Sequence, residues 1–210
     1  MIITGVERQR WRRRVNVFVD GQCALSLGRS FALEKGLHAD MAIDEAELQA
    51  LRAEDERRTA YDAAIHLLSY RPRSEREMRQ RLRRLNASPE VIDETVARLL
   101  ASHYLDDAAF AEFWRESRAN ISPRSRRLVR SELLYKGVDV DTATTAVGGL
   151  DDEESAYRAA SKRLKALADA DYDDFRRRLG GFLTRRGFGY ETVRRTLERC
   201  WREMGRDAGS

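Results

Sequence analysis

Residues Arg73–Asn86 read RSEREMRQRLRRLN, Arg124–Gly137 read RSRRLVRSELLYKG, and Asp174–Gly187 read DFRRRLGGFLTRRG. Aligned on their last residue, the three share Leu82, Leu133 and Leu183 four positions earlier, and Met78, Val129 and Leu179 eight positions earlier. Apolar residues four apart lie on one face of a helix, and Asn or Gly is the residue type that tolerates the left-handed conformation closing it. The register continues downstream. Six positions on come Ile92, Ala143 and Val193; ten on, Val96, Val147 and Leu197; thirteen on, Leu99, Leu150 and Cys200. That stripe predicts a second helix with one buried face, and a period near fifty residues predicts tandem repeats.

A further helical stretch precedes each pair: Tyr61, Ala64, Ile65 and Leu68; Phe110, Phe113 and Trp114; Tyr157, Ala160 and Leu164. Each unit therefore reads as three helices. Local signals fit these boundaries. Ser74 and Glu77 have capping-box spacing, Ser88-Pro89 puts proline at a first helical position, and Pro72 ends the helix before it. Asp106-Asp107 and Asp151-Asp152 fall where one repeat gives way to the next, and capping rather than a metal explains them.

The first fifty residues differ. Val15, Val17 and Val19 alternate with Asn16 and Phe18, and Asp20-Gly21 then leads into Gln22–Leu27, which reads as one hairpin. A short linking helix or two, containing Phe31, Ala32, Leu33 and Leu37 and then an acidic stretch around Leu48 and Leu51, should follow. The expected fold class is thus all-α, an elongated and curved array of three tandem three-helix repeats, with a short N-terminal β-hairpin segment. Expected domains are residues 1–56 for that segment, then repeats at 57–105, 106–150 and 151–210.

Charge is segregated along the same lines. Of 39 basic residues only four are lysine, and the net charge of the 210-residue chain is +4. Yet the windows 8–14, 71–84, 124–136 and 176–186 hold 22 bases against three acids, net +19, which leaves −15 for the rest. Three of these windows are the middle helices of successive repeats, with Arg76, Arg127 and Arg177 all ten positions before the closing residue. A GC-rich genome could favour arginine over lysine but would scatter it; a basic helix in every repeat points to an extended anionic partner with salt-dependent binding. The candidate surface is Arg71, Arg73, Arg76, Arg79, Arg126, Arg127, Arg130, Lys136, Arg177, Arg185 and Arg186. Trp11 with Arg12, Arg13 and Arg14 could stack on bases or grip a partner, or Trp11 could cover the hairpin's apolar face.

Catalysis finds little support. No phosphate-binding glycine loop, nucleophile elbow or zinc motif occurs, and Cys23, Cys200, His38, His66 and His103 are scattered. His66, between Ile65 and Leu67, reads as a packing or capping histidine rather than a catalytic one. No catalytic residue, cofactor or metal is expected. Without an 18-residue apolar run or a signal-peptide core, the chain is expected to be a cytoplasmic monomer away from membranes.

Leu68-Ser-Tyr-Arg-Pro-Arg-Ser-Glu-Arg-Glu77, with Met78 and Leu82 after it, resembles the first-repeat signature of the RecX family of RecA regulators. Tyr104-Leu-Asp-Asp107 with Phe110-Ala111 resembles the junction into that family's second repeat, and Glu132-Leu133 with Lys136-Gly137-Val138 its second-repeat signature. The chain departs from the family at Ser122-Pro123, where many members carry glycine, and in the Gly180-Gly181 pair within the third middle helix. The resemblance implies tandem three-helix repeats, binding to RecA and the RecA-DNA filament, and weak binding to single- or double-stranded DNA. It further implies restraint of ATPase, strand exchange and co-protease activity, with no catalytic residues. The alternatives are a helical-repeat nucleic-acid-binding protein acting without RecA, and a scaffold with no affinity for DNA.

Overall fold

A computed structural model describes residues 1–11 and 13–205. It begins with three strands, not a two-stranded hairpin: β1 (Ile3–Arg8), β2 (Arg14–Val19) and β3 (Gln22–Gly28) form an antiparallel sheet in chain order. The expected turn is present, with Asp20 and Gly21 both at positive φ (48° and 81°). Val15, Val17 and Val19 point inward and β2 pairs Val17 with Leu25, a bulge shifting the register at Phe18. The apolar face of the sheet is closed by Phe31 and Ala32 of α1 (Arg29–Glu34), by Ile43, and by Leu48 of α2 (Glu45–Tyr70).

The stretch expected to be a linking helix and the first helix of repeat 1 are one element, since α2 runs unbroken for 26 residues through the expected boundary at residue 56. Asp44 caps it in a reciprocal box with Glu47. Asp55 supplies the reason for the continuity: its buried carboxylate accepts from Gly28 N at 2.7 Å and pairs with Arg14 at 2.8 Å, so α2 is bolted to the sheet before it enters the repeat. His66, expected to pack or cap, is exposed and meets the Tyr70 ring edge-on at 5.0 Å.

The remaining helices are α3 (Glu75–Arg84), α4 (Pro89–Ala101), α5 (Asp107–Ile121), α6 (Arg126–Tyr135), α7 (Val140–Val147), α8 (Asp152–Leu164), α9 (Tyr172–Arg185) and α10 (Tyr190–Glu203), with a 3-10 turn at Lys165–Leu167. All fifteen side chains at the five aligned apolar positions are buried. Asn86, Gly137 and Gly187 all take the left-handed conformation, at φ 59°, 90° and 86°. The repeat read from the sequence is thus the repeat of the core.

The chain divides into two compact units, one of Met1–Arg71 with Met78–Tyr104, the other of Pro72–Glu77 with the chain from Leu105 onward. In the first, α4 lies on α2, and Ser88 N donates to Glu56 at 2.6 Å. In the second, α5 packs with α6 and α7 around Phe110, Val129 and Leu133, and α8 with α9 and α10 around Phe175, Leu179 and Trp201.

The paired aspartates have two jobs. Asp106 and Asp151 cap their own helices, accepting from backbone N–H groups two and three residues on. Asp107 reaches back to Glu75 N at 2.9 Å and Asp152 to Arg126 N at 2.6 Å, so each satisfies the first N–H of the preceding repeat's middle helix. The closing turn of the next middle helix arrives at the same place. Ser74 Oγ donates to Lys136 O at 2.7 Å, and Ser125 N donates to Arg186 O at 3.0 Å. Two successive junctions are therefore built alike.

Candidate functional site

The equivalent basic positions have equivalent fates. Ten residues before the closing residue, Arg76, Arg127 and Arg177 are all exposed. Arg76 lays its stem across Gly137 and its guanidinium 5.7 Å from the Tyr135 ring; neither it nor Arg127 has a carboxylate within ion-pair distance among the described residues. Arg177 is 79% exposed and pairs with Asp174 one turn earlier. Seven before the closing residue the picture reverses. Arg79 and Arg130 are half-buried and reach residues seven after it, Arg79 to Asp93 and Arg130 to Thr144 Oγ1 at 2.9 Å, which ties each middle helix to the helix that follows. Gly180 occupies that position in α9, where a Cβ would sit 3.6 Å from Leu197.

Several of the expected contact residues are used inside the fold. Arg73 is buried, only 9% exposed, because the chain entering α3 turns inward to bring Ser74 to the Lys136 carbonyl; it belongs to no open surface. Arg126 is exposed, yet its guanidinium donates to Leu150 O. Lys136 pairs with Glu77 and places its ammonium 4.5 Å from the Trp114 ring. Arg186 is half-buried, donating to Ser122 Oγ at 2.9 Å and Pro123 O at 2.8 Å; burial first, then the neighbouring guanidinium groups of Arg124, Arg163 and Arg118, lower its pKa. Arg71 is half-buried, and Arg185 is exposed.

At the N-terminus Trp11 is 87% exposed with Arg10 beside its ring at 5.3 Å, so it does not cover the sheet. Arg13 is exposed, Arg14 is held by Asp55 and Ser26, and Arg12 lies outside the described residues.

Arginines on the outer helices behave differently. On α10, Arg194 and Arg195 share Glu191, and Arg199 pairs with Glu203. The two guanidinium groups pull the Glu191 carboxyl down to about 2. Arg98 and Arg199 also lie over Tyr61 and Tyr157, at 3.8 and 3.4 Å. These arginines carry local structure.

Sequence reasoning missed Arg118, Lys162 and Arg163, the bases near the ends of α5 and α8. Arg118 and Arg124 converge on Glu132, which also accepts from Trp114 Nε1 at 2.8 Å. Lys162 donates to the carbonyls of Asn120 and Ile121, and Arg163 lies 4.5 Å from the Phe182 ring. The signal was present as three bases within Lys162–Lys165, outside the four windows. Among the described residues no three His, Cys, Asp or Glu form a metal-binding group, and no helix is long and apolar enough to cross a membrane.

Three family models match in tandem: the first three-helix domain of RecX at residues 60–99, the second at 106–147 and the third at 151–197. The chain belongs to the RecX family. Regulatory protein RecX of Amycolatopsis mediterranei is 33% identical over 161 residues, spanning 75% of this chain and 92% of that protein. Its counterpart in Bacillus cytotoxicus is 27% identical over 205 residues, 94% of this chain and 76% of that protein. A crystal structure of regulatory protein RecX shares the fold with a TM-score of 0.60 at 21% identity, covering 94% of this chain and all of that one. RecX from Lactobacillus salivarius matches with a TM-score of 0.57 at 23% identity, over 70% and 97% of the two chains. In this RecX chain each matched domain contains one middle helix, so the exposed base ten residues before the closing turn recurs once per RecX repeat.

Proposed function

We propose that this RecX chain regulates RecA, binding RecA and its nucleoprotein filament and restraining ATPase, strand exchange and co-protease activity. Its contact with the filament runs through the open bases of the middle helices. One observation carries the reading: the base ten positions before the closing turn is exposed in all three middle helices and, among the described residues, has no carboxylate partner in the first two, whereas Arg194, Arg195 and Arg199 of α10 pair with glutamates. Recurring cations separated by whole repeats suit a partner that presents phosphate or carboxylate repeatedly, and several modest contacts made together multiply through effective concentration. The chain needs no chemistry of its own to do this.

The test is a titration of RecA ATPase on single-stranded DNA with Arg76→Glu/Arg127→Glu, against Arg158→Glu/Arg202→Glu as a control of equal charge change at exposed sites off the middle helices. The middle-helix variant should lose inhibition with its ellipticity unchanged, and the control should keep it. Undiminished inhibition by the first variant overturns the proposal. Inhibition that disappears in proportion to added free DNA marks instead a nucleic-acid-binding repeat protein acting without RecA.

A further inference from the structure

In the third repeat the end of α8, the 3-10 turn and α9 enclose an open cavity of about 450 Å³. Arg163, Arg177, Arg178 and Arg185 line it together with Leu179 and Phe182, and no acidic residue does. Among the described residues, Asp174 is the one carboxylate paired with any of the four, and it binds Arg177 and Arg178. Arg163 and Arg185 have no carboxylate within ion-pair distance among the described residues. Arg186 adds a second guanidinium at 4.5 Å from Phe182.

Four like charges around one small space repel, and the arrangement stands only with an anion or solvent between them. The shape narrows the choice. The volume falls within the ~300–1,000 Å³ of ordinary ligand pockets, room for one nucleotide rather than for a bare phosphate. Guanidinium forks match the two free oxygens of a phosphodiester. An acidic side chain would satisfy the forks and leave the apolar lining bare, whereas a base has a flat face to lay on the Arg163 guanidinium, which lies 4.5 Å from the Phe182 ring.

We propose that this cavity is a nucleotide subsite for single-stranded nucleic acid, with the phosphate on Arg177, Arg178 and Arg185 and the base against the Arg163–Phe182 pair. It deepens the reading above, on which it rests for its role in the filament but not for the contact itself.

The test is fluorescence anisotropy of a labelled oligothymidylate with the purified full chain at several salt concentrations, in the absence of RecA. Arg163→Gln/Arg185→Gln should weaken binding at least about tenfold at low salt and flatten the salt dependence by one to two counterions. Phe182→Leu, which keeps an apolar side chain, should weaken it about fivefold to a hundredfold with the salt dependence unchanged. This split between charge and stacking separates a subsite from a diffuse basic face. Wild-type binding by both variants, or a uniform loss of salt dependence with no effect of Phe182→Leu, overturns the proposal. So does a poly-glutamate peptide that displaces the oligonucleotide and binds through the same residues with higher affinity. Neither result touches the regulatory reading, because Arg76 and Arg127 do not line the cavity and their test is run on RecA.

Discussion

Gly187→Ala should destabilise the protein far more than Gly36→Ala, although both glycines close a helix in the left-handed conformation, at φ 86° and 64°. An alanine forced there costs about 1–2 kcal/mol. Stiffening the unfolded chain returns about 0.4–1 kcal/mol, so Gly36→Ala, whose added Cβ meets nothing within 4 Å, should cost roughly 0–1.5 kcal/mol. At Gly187 the same Cβ would stand 2.5 Å from Ser125 Oγ and 2.8 Å from Leu128 Cβ. Neither neighbour can swing aside freely. Ser125 is fully buried, its N–H bonded to the Arg186 carbonyl and its hydroxyl capping α6 at Leu128 N, while a Cβ moves only with its backbone. Overpacking of this kind costs about 1–3 kcal/mol, which brings the expected total to roughly 1–4.5 kcal/mol.

Urea unfolding followed by far-ultraviolet circular dichroism gives the two free energies. A thermal melt should show a fall of several degrees beyond that of Gly36→Ala, since 1 kcal/mol moves the midpoint of a chain of this size by about 2–4 °C. Equal losses for the two variants would mean that the closing turn of α9 does not press on the start of α6, and the junction described here would be wrong. Gly137→Ala should repeat the larger effect, its Cβ falling 2.6 Å from Cβ of Arg76.

The two thiols should differ sharply in native protein at pH 8: Cys23 is exposed on β3 and should react at once with a disulfide reagent, while Cys200 is buried in the core of the third repeat, which raises its pKa to about 11, and should react only on unfolding. Rapid labelling of two thiols, or of one in Cys23→Ser, would contradict the packing of α10. Glu191 should titrate by NMR near pH 2, against an ordinary 4.5, because Arg194 and Arg195 both bond to its carboxylate. A folded-state pKa below the unfolded one stabilises the fold above pH 4.5 and is lost as pH falls toward 2; a midpoint left unmoved by Arg194→Ala/Arg195→Ala would refute the ion pairs.

The repeat was legible because its information is local. Leu82, Leu133 and Leu183 are apolar at a fixed distance from a residue that accepts positive φ, and both properties can be read from one chain. β1 was not, because Ile3, Thr4, Gly5 and Val6 make too short an alternation beside an arginine cluster, and the strand is completed by pairing with β2. The unbroken α2 was hidden for the same kind of reason: Asp55 looks like one more surface acid until Arg14 and the Gly28 N–H are brought to it from the sheet. Asp107 and Asp152 look like caps, and they are, but for a helix some thirty residues upstream rather than the one they begin. What sequence cannot express is the partner that lies across a fold.

The same distinction governs the arginines. A count treats all 35 alike, and even their concentration on the middle helices does not say which face water. Register does, once one structure has calibrated it. Position minus seven is consumed in repeats 1 and 2 by a partner at plus seven, the position just before the closing glycine is consumed at the junctions of repeats 2 and 3, and position minus ten is exposed in all three. Of the register positions represented among the eleven candidate residues, minus ten is the one that carries an exposed arginine in all three repeats. A chain that needed arginine only for solubility would have no reason to keep this position open in every repeat while Arg79, Arg130, Lys136 and Arg186 are held by bonds of their own.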